Sequence, residues 1–134
     1  MSTIAWIDPR SDIIDSVMEP LRRAGHEIFK VASVGEASRR LSEIRAADVI
    51  ITELIVNGVL TGGYLTSDFM RQLLGHPHPP IIVFSTRIPE EGQETRRQLR
   101  DMGVNEVVRN PIRPSELKEV VEKVLETALR NQPH

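Results

Sequence analysis

Cysteine is absent from the 134 residues, which removes thiolate metal sites, iron–sulfur clusters, disulfide frameworks and cysteine nucleophiles together. Few other groupings could do chemistry. Ser85 is a nucleophile by type, but no spaced histidine base accompanies it and no Ser-His-Asp arrangement stands out. His76 and His78, within His-Pro-His-Pro-Pro80, have no acids or cysteines at ligand spacing and read as a polar loop. Gly58, Gly62 and Gly63 lack both the lysine of a GxxxxGK[ST] loop and the spacing of GxGxxG, so they give little support to phosphate cradling and read as a reshaped loop. What remains is a set of polar residues that each close or follow an apolar run. Asp8 and Pro9 follow Thr3-Ile-Ala-Trp-Ile7, Glu53 follows Asp48-Val-Ile-Ile-Thr52, Ser85-Thr86 follow Pro80-Ile-Ile-Val-Phe84, and Asn110-Pro111 follow Glu106-Val-Val-Arg109.

Those runs, with Glu27-Ile-Phe-Lys-Val31, predict five strands. The first, third and fourth are nearly continuous apolar runs, the pattern of strands covered on both faces in a parallel sheet. Helical spacing fills the gaps. Ile13, Ile14, Val17, Met18 and Leu21 form one stripe, with Ser11 as the expected N-cap and Gly25 as the stop. Ala37, Leu41 and Ile44 predict a short second helix, and Phe69, Met70, Leu73 and Leu74 a third ending at Gly75. A fourth, over about 90–102, has only Leu99 and Met102 to hold it down. Leu117, Val120, Val121, Val124, Leu125 and Ala128 predict a core-facing last helix beginning after Pro114-Ser115 and ending near Asn131. The alternation predicts an α/β domain, a flavodoxin-like (βα)5 three-layer sandwich around a parallel five-stranded sheet of order 2-1-3-4-5. Ligands of such sheets sit beyond the carboxyl ends of the strands, beside the switch point between strands 1 and 3.

The length predicts a single domain over residues 1–134. Lys and Arg number 17 against 19 Asp and Glu, a net charge of −2, so no cationic excess offers to neutralise a nucleic-acid backbone. No apolar run approaches the roughly 20 residues of a membrane helix, and no basic-then-apolar leader is present, so a cytoplasmic protein that binds neither nucleic acid nor membrane is expected.

The order of residues at the strand ends resembles the receiver domain of two-component response regulators, the CheY type. Three stretches carry most of the likeness: Ala47-Asp-Val-Ile-Ile-Thr-Glu-Leu54, Asp101-Met-Gly-Val-Asn-Glu-Val-Val108 leading into Asn110-Pro111-Ile112, and Ser115-Glu-Leu117. The resemblance runs from Thr3 to about Leu129. It implies a signalling domain in which two acids after the first strand and an aspartate after the third hold Mg²⁺, and that aspartate takes a phosphoryl group from a phosphohistidine kinase. It also implies a lysine before the last strand's proline and a strand 4 hydroxyl on the phosphoryl oxygens, and an aromatic in strand 5 that follows the hydroxyl.

Carried over residue by residue, the pattern changes. Asp8 keeps the first acid, but Pro9 stands at the second. Glu53 holds the phosphoacceptor position with one extra methylene. Asn110 replaces the lysine, Ser85 keeps the hydroxyl with Thr86 beside it, and Val107 replaces the switch aromatic. The expectation is a non-enzymatic pseudo-receiver without cofactor, acting by protein–protein contact with a partner such as a sensor histidine kinase or a signalling target. The alternative is a working phosphorelay receiver that uses Mg²⁺ at an altered site. A flavin-type phosphate binder is disfavoured, because Asp8-Pro-Arg-Ser11 lacks a hydroxyl- and glycine-rich loop. Two readings of Glu53 stand open: a water-facing carboxylate, or a constitutive anion mimicking the phosphorylated state. Arg10, Arg87 and Arg109 are either solvated or partners for the acids, Arg109 least so because alternation turns it from the Asn110 side. Arg96, Arg97, Arg100, Glu106, Arg109, Glu119 and Glu122 alternate in sign along one face. They belong to the fourth helix, strand 5 and the fifth helix, which the resemblance implies is the surface for dimerising or binding targets, and are either solvated or suited to a two-fold homodimer contact there.

Overall fold

The computed structural model describes residues 2–8, 11–53, 75, 78–85, 93–101, 103–109 and 112–130. Its elements are β1 (Thr3–Ile7), α1 (Ser11–Arg23), β2 (Glu27–Val31), α2 (Val34–Arg39), α3 (Leu41–Arg45), β3 (Val49–Thr52), β4 (Ile81–Ser85), α4 (Gln93–Asp101), β5 (Glu106–Arg109) and α5 (Pro114–Arg130). The strands form one five-stranded sheet of order β2-β1-β3-β4-β5. Every pairing is parallel. This is the predicted order. The expected third helix, over Phe69 to Leu74, and the glycine loop before it lie outside the described residues.

The continuous apolar runs do what their composition requires, since alternate residues of each strand feed two separate cores. Ala5, Ile7, Ile50, Val83 and Val107 pack with Ala37 of α2, Ile44 of α3 and Leu99 of α4. Ile4, Trp6, Ile51, Phe84 and Val108 pack with Met18 and Leu21 of α1 and with Leu117, Val121 and Leu125 of α5. The sheet is thus the middle of three layers. Leu99 is the one fully buried side chain of α4 among the described residues, in keeping with its sparse apolar stripe. No described helix is long and apolar enough to cross a membrane.

Helix ends follow local chemistry. Gly25 has φ 92°, its N–H donates to Arg22 O at 3.0 Å and the His26 N–H to Leu21 O at 3.1 Å, the two bonds of a Schellman stop. Gly103 repeats the motif at φ 98°, with Gly103 N–H on Arg100 O and Val104 N–H on Leu99 O. Ser11 lies inside α1 and not ahead of it, and Pro114 is the first residue of α5, where its fixed φ suits a first turn.

The predicted second helix is two. Arg40 leaves helical geometry at φ −112° and ψ 28°, and its guanidinium lies 4.7 Å from the centre of the Phe29 ring. It also donates to Glu43 at 2.7 Å and to Lys30 O at 3.4 Å. That hydrogen bond holds the Glu43 carboxyl below the ordinary carboxylate range and the Arg40 guanidinium above its own. Ser33 caps α2 by accepting from the Glu36 N–H at 3.0 Å.

Pro20 sits in the interior of α1. It deprives the Ser16 carbonyl of its helical donor and crowds the preceding turn. Pro20→Ala is expected to stabilise the protein by about 1–3 kcal/mol, the low end reflecting lost ring packing. Urea unfolding followed through Trp6, the only tryptophan, measures this, and a lowered midpoint would contradict it.

Candidate functional site

Buried polar side chains locate the site. Among the described residues they are Asp8, Thr52, Glu53 and Ser85, with exposures of 1%, 0%, 4% and 0%, and all four lie at the carboxyl end of the three central strands. Taking an ionised carboxylate out of water costs several kcal/mol unless its surroundings compensate. Two such groups at one sheet end mark a place built for something other than packing.

The ladder positions the acids. Ile7 pairs with Thr52 across β1 and β3. The hydrogen bonds continue one step further, with Glu53 N–H on Ile7 O at 3.1 Å and Asp8 N–H on Val31 O at 2.9 Å. Asp8 and Glu53 therefore face each other across adjacent strands, their backbones roughly 5 Å apart, at the switch point where the chain leaves for opposite edges of the sheet. The Thr52 hydroxyl donates to Glu53 O at 3.1 Å and ties down the same step. Sequence reading missed Thr52, although its place as the last residue of a buried apolar run was a signal that it, too, would be buried. Ser85 ends β4 in register with Arg109. Asp8, Glu53 and Ser85 all engage partners.

Burial removes the water-facing reading of Glu53. The structure brings Asp8, Glu53 and Ser85 to one end of the sheet. It places Val107, 5% exposed, inside the core with Val83, Leu99 and Val104. Arg109 is exposed. Pro9, Arg10, His76, Thr86, Arg87, Asn110 and Pro111 lie outside the described residues. As a donor set for a hard dication, the site offers the Asp8 and Glu53 carboxylates. Pro9 contributes no side-chain oxygen, and among the described residues no three His, Cys, Asp or Glu side chains converge. Two carboxylates do not fit the three-acid arrangement that the receiver resemblance implies.

Part of the charged face is paired within the chain. Arg97 meets Glu94 at 2.7 Å, Arg100 meets Glu106 at 3.4 Å and Lys118 meets Glu122 at 2.8 Å. Such exposed pairs are worth little individually, but they occupy charges that a two-fold contact would use.

No family model and no curated protein matches the sequence. Solved structures do. A response regulator receiver domain protein from Clostridium thermocellum superposes with a TM-score of 0.78 at 19% identity, covering 98% of this chain and 100% of that one. The signal receiver domain of a putative Luxo repressor protein from Vibrio parahaemolyticus gives 0.78 at 16% identity over 99% and 98%. NtrX from Brucella abortus, in complex with ADP, gives 0.76 at 24% identity over 94% of this chain. This chain spans only 27% of NtrX. The fold is that of the response regulator receiver domains, flavodoxin-like with strand order 2-1-3-4-5.

Proposed function

We propose that this chain is a pseudo-receiver in two-component signalling, working through contact with a protein partner and without a phosphoryl cycle. The observation that carries the reading is Glu53, buried beside Asp8 where receivers place their phosphoacceptor aspartate. A glutamate there displaces the nucleophile by about 1.5 Å, one carbon–carbon bond, and reacting groups must be held to within about half an ångström. In the sequence, Asn110 and Pro9 replace the cation and the second acid that would offset developing charge. The loss of one such stabiliser typically costs about 3–4 kcal/mol of barrier. Val107, packed among apolar residues, has no aromatic ring with which to report a moving hydroxyl. The domain is therefore a binding module and not an enzyme.

Intact mass after incubation with acetyl phosphate and Mg²⁺ tests this, and the expected mass is unchanged. The buried Asp8 and Ser85 favour one second reading, a phosphorelay receiver with an altered site that requires Mg²⁺. A base-labile single phosphoryl adduct on Glu53 would establish it instead.

A further inference from the structure

At one edge of the sheet stands β2, paired only with β1. The Glu27 N–H donates to Ser2 O, and Val31 O accepts from the Asp8 N–H, so residues 27, 29 and 31 turn their backbone groups toward β1. In such a ladder the intervening residues turn theirs the other way. The N–H and C=O groups of Ile28 and Lys30 therefore line the open edge, a row that can template a further strand.

Of these groups only Lys30 O is occupied, by Arg40 Nη1 at 3.4 Å. Ile28 N–H, Ile28 O and Lys30 N–H have no partner among the described residues. A lysine on an edge strand usually deters pairing, but the Lys30 ammonium is held by Asp15 of α1 at 2.9 Å. Arg40 stands at the edge instead. It sits where helical geometry breaks between α2 and α3, stacked on Phe29 at 4.7 Å and fixed by Glu43 at 2.7 Å, with Glu36 3.8 Å away. Glu36 also accepts from the Ala32 N–H at 3.1 Å, the next group beyond Lys30 that turns outward.

We infer that the β2 edge is a pairing surface for a second copy of this chain, and that Arg40 holds it shut. The outward groups are self-complementary. Antiparallel two-fold pairing centred on Phe29 sets Ile28 N–H on Lys30 O of the second copy and Lys30 N–H on its Ile28 O, and the symmetry repeats both bonds. It also sets Phe29 beside its own copy in the non-hydrogen-bonded position, where facing side chains approach closest. Arg40 occupies Lys30 O and stands where the incoming strand presents its N–H. By symmetry that contact closes half of the ladder, so pairing requires the guanidinium to leave Lys30 O.

Arg40→Met keeps an unbranched chain over Phe29 and removes the donor. In sedimentation velocity its mass is expected to double from 15.1 kDa as concentration rises, while the parent does not change. Adding Ile28→Pro removes an N–H that β1 does not use, at an edge position that accepts proline, and should return Arg40→Met to the parent's mass. Hydrogen exchange reads the same edge in the unaltered chain. There the Ile28 and Lys30 amides should exchange at least about tenfold faster than those of Phe29 and Val31, and in Arg40→Met they should slow as concentration rises. Arg40→Met at the parent's mass, association that survives Ile28→Pro, or Ile28 and Lys30 amides as protected in the parent as those of Phe29 and Val31 would each overturn the inference. The parent's exchange pattern decides it even if a variant fails to fold.

Discussion

Trp6→Ala is expected to destabilise the protein by about 3–5 kcal/mol, the range for removing a large aromatic from a closed core. Trp6 has no solvent exposure and heads the largest buried side chains. Its ring meets Phe84 edge-on, with centroids 5.9 Å apart at 84°, a geometry that adds about 0.5–1.5 kcal/mol beyond area burial. Against a typical total of about 5–15 kcal/mol, such a loss would leave a sizeable unfolded fraction at modest urea. Trp6→Phe should behave quite differently. The indole N–H is buried with no hydrogen-bond partner among the described residues, a defect that costs about 1–3 kcal/mol. Phenylalanine removes that donor along with some volume, so the two effects nearly cancel and the change should stay within about 1 kcal/mol. Urea unfolding followed by far-ultraviolet circular dichroism is the measurement, because both variants lack the only tryptophan. A Trp6→Ala loss below about 1 kcal/mol would mean that the core collapses around the site far better than close packing allows.

The same tryptophan shows why the fold was legible. A run such as Ile4-Ala-Trp-Ile7 has no polar face, so only a strand covered on both sides accommodates it. With three such runs, two shorter or more polar strands and the helical stripes between them, strand order follows from few alternatives. The break at Arg40 was hidden because its cause is tertiary. The guanidinium is drawn onto Phe29, a neighbour in space that periodicity cannot supply. Glu53 was half legible, since its place at the end of β3 could be read from spacing, whereas its burial depends on what surrounds the sheet end. The charged face misled in the opposite way. Arg97 with Glu94 and Lys118 with Glu122 stand at i,i+3 and i,i+4, spacings that already allow each helix to satisfy its own charges. The sign alternation was visible, but spacing does not say which charges meet: among the described residues Lys123 pairs with no carboxylate, although Glu119 stands four residues before it.

Restoring the missing chemistry is expected to have the largest functional effect. The triple substitution Pro9→Asp/Glu53→Asp/Asn110→Lys returns the second acid, shortens the nucleophile's reach by about 1.5 Å and supplies an ammonium. It leaves the buried Asp8 and Ser85 untouched. Each restored stabiliser typically recovers about 3–4 kcal/mol of barrier. Two of them with a correctly placed carboxylate therefore predict an increase of several orders of magnitude in acyl-phosphate formation. With acetyl phosphate and Mg²⁺, the triple variant should acquire one base-labile phosphoryl group while the parent chain acquires none. Glu53→Asp alone should remain unmodified, because the nucleophile would then be placed without the charges that stabilise its transition state. The order of the outcomes carries the argument. If Glu53→Asp alone is phosphorylated, the methylene was the whole obstacle and Asn110 and Pro9 are incidental. If the triple variant stays unmodified while its circular dichroism spectrum remains that of the parent, the defect lies outside these three positions and the site has diverged beyond its charges.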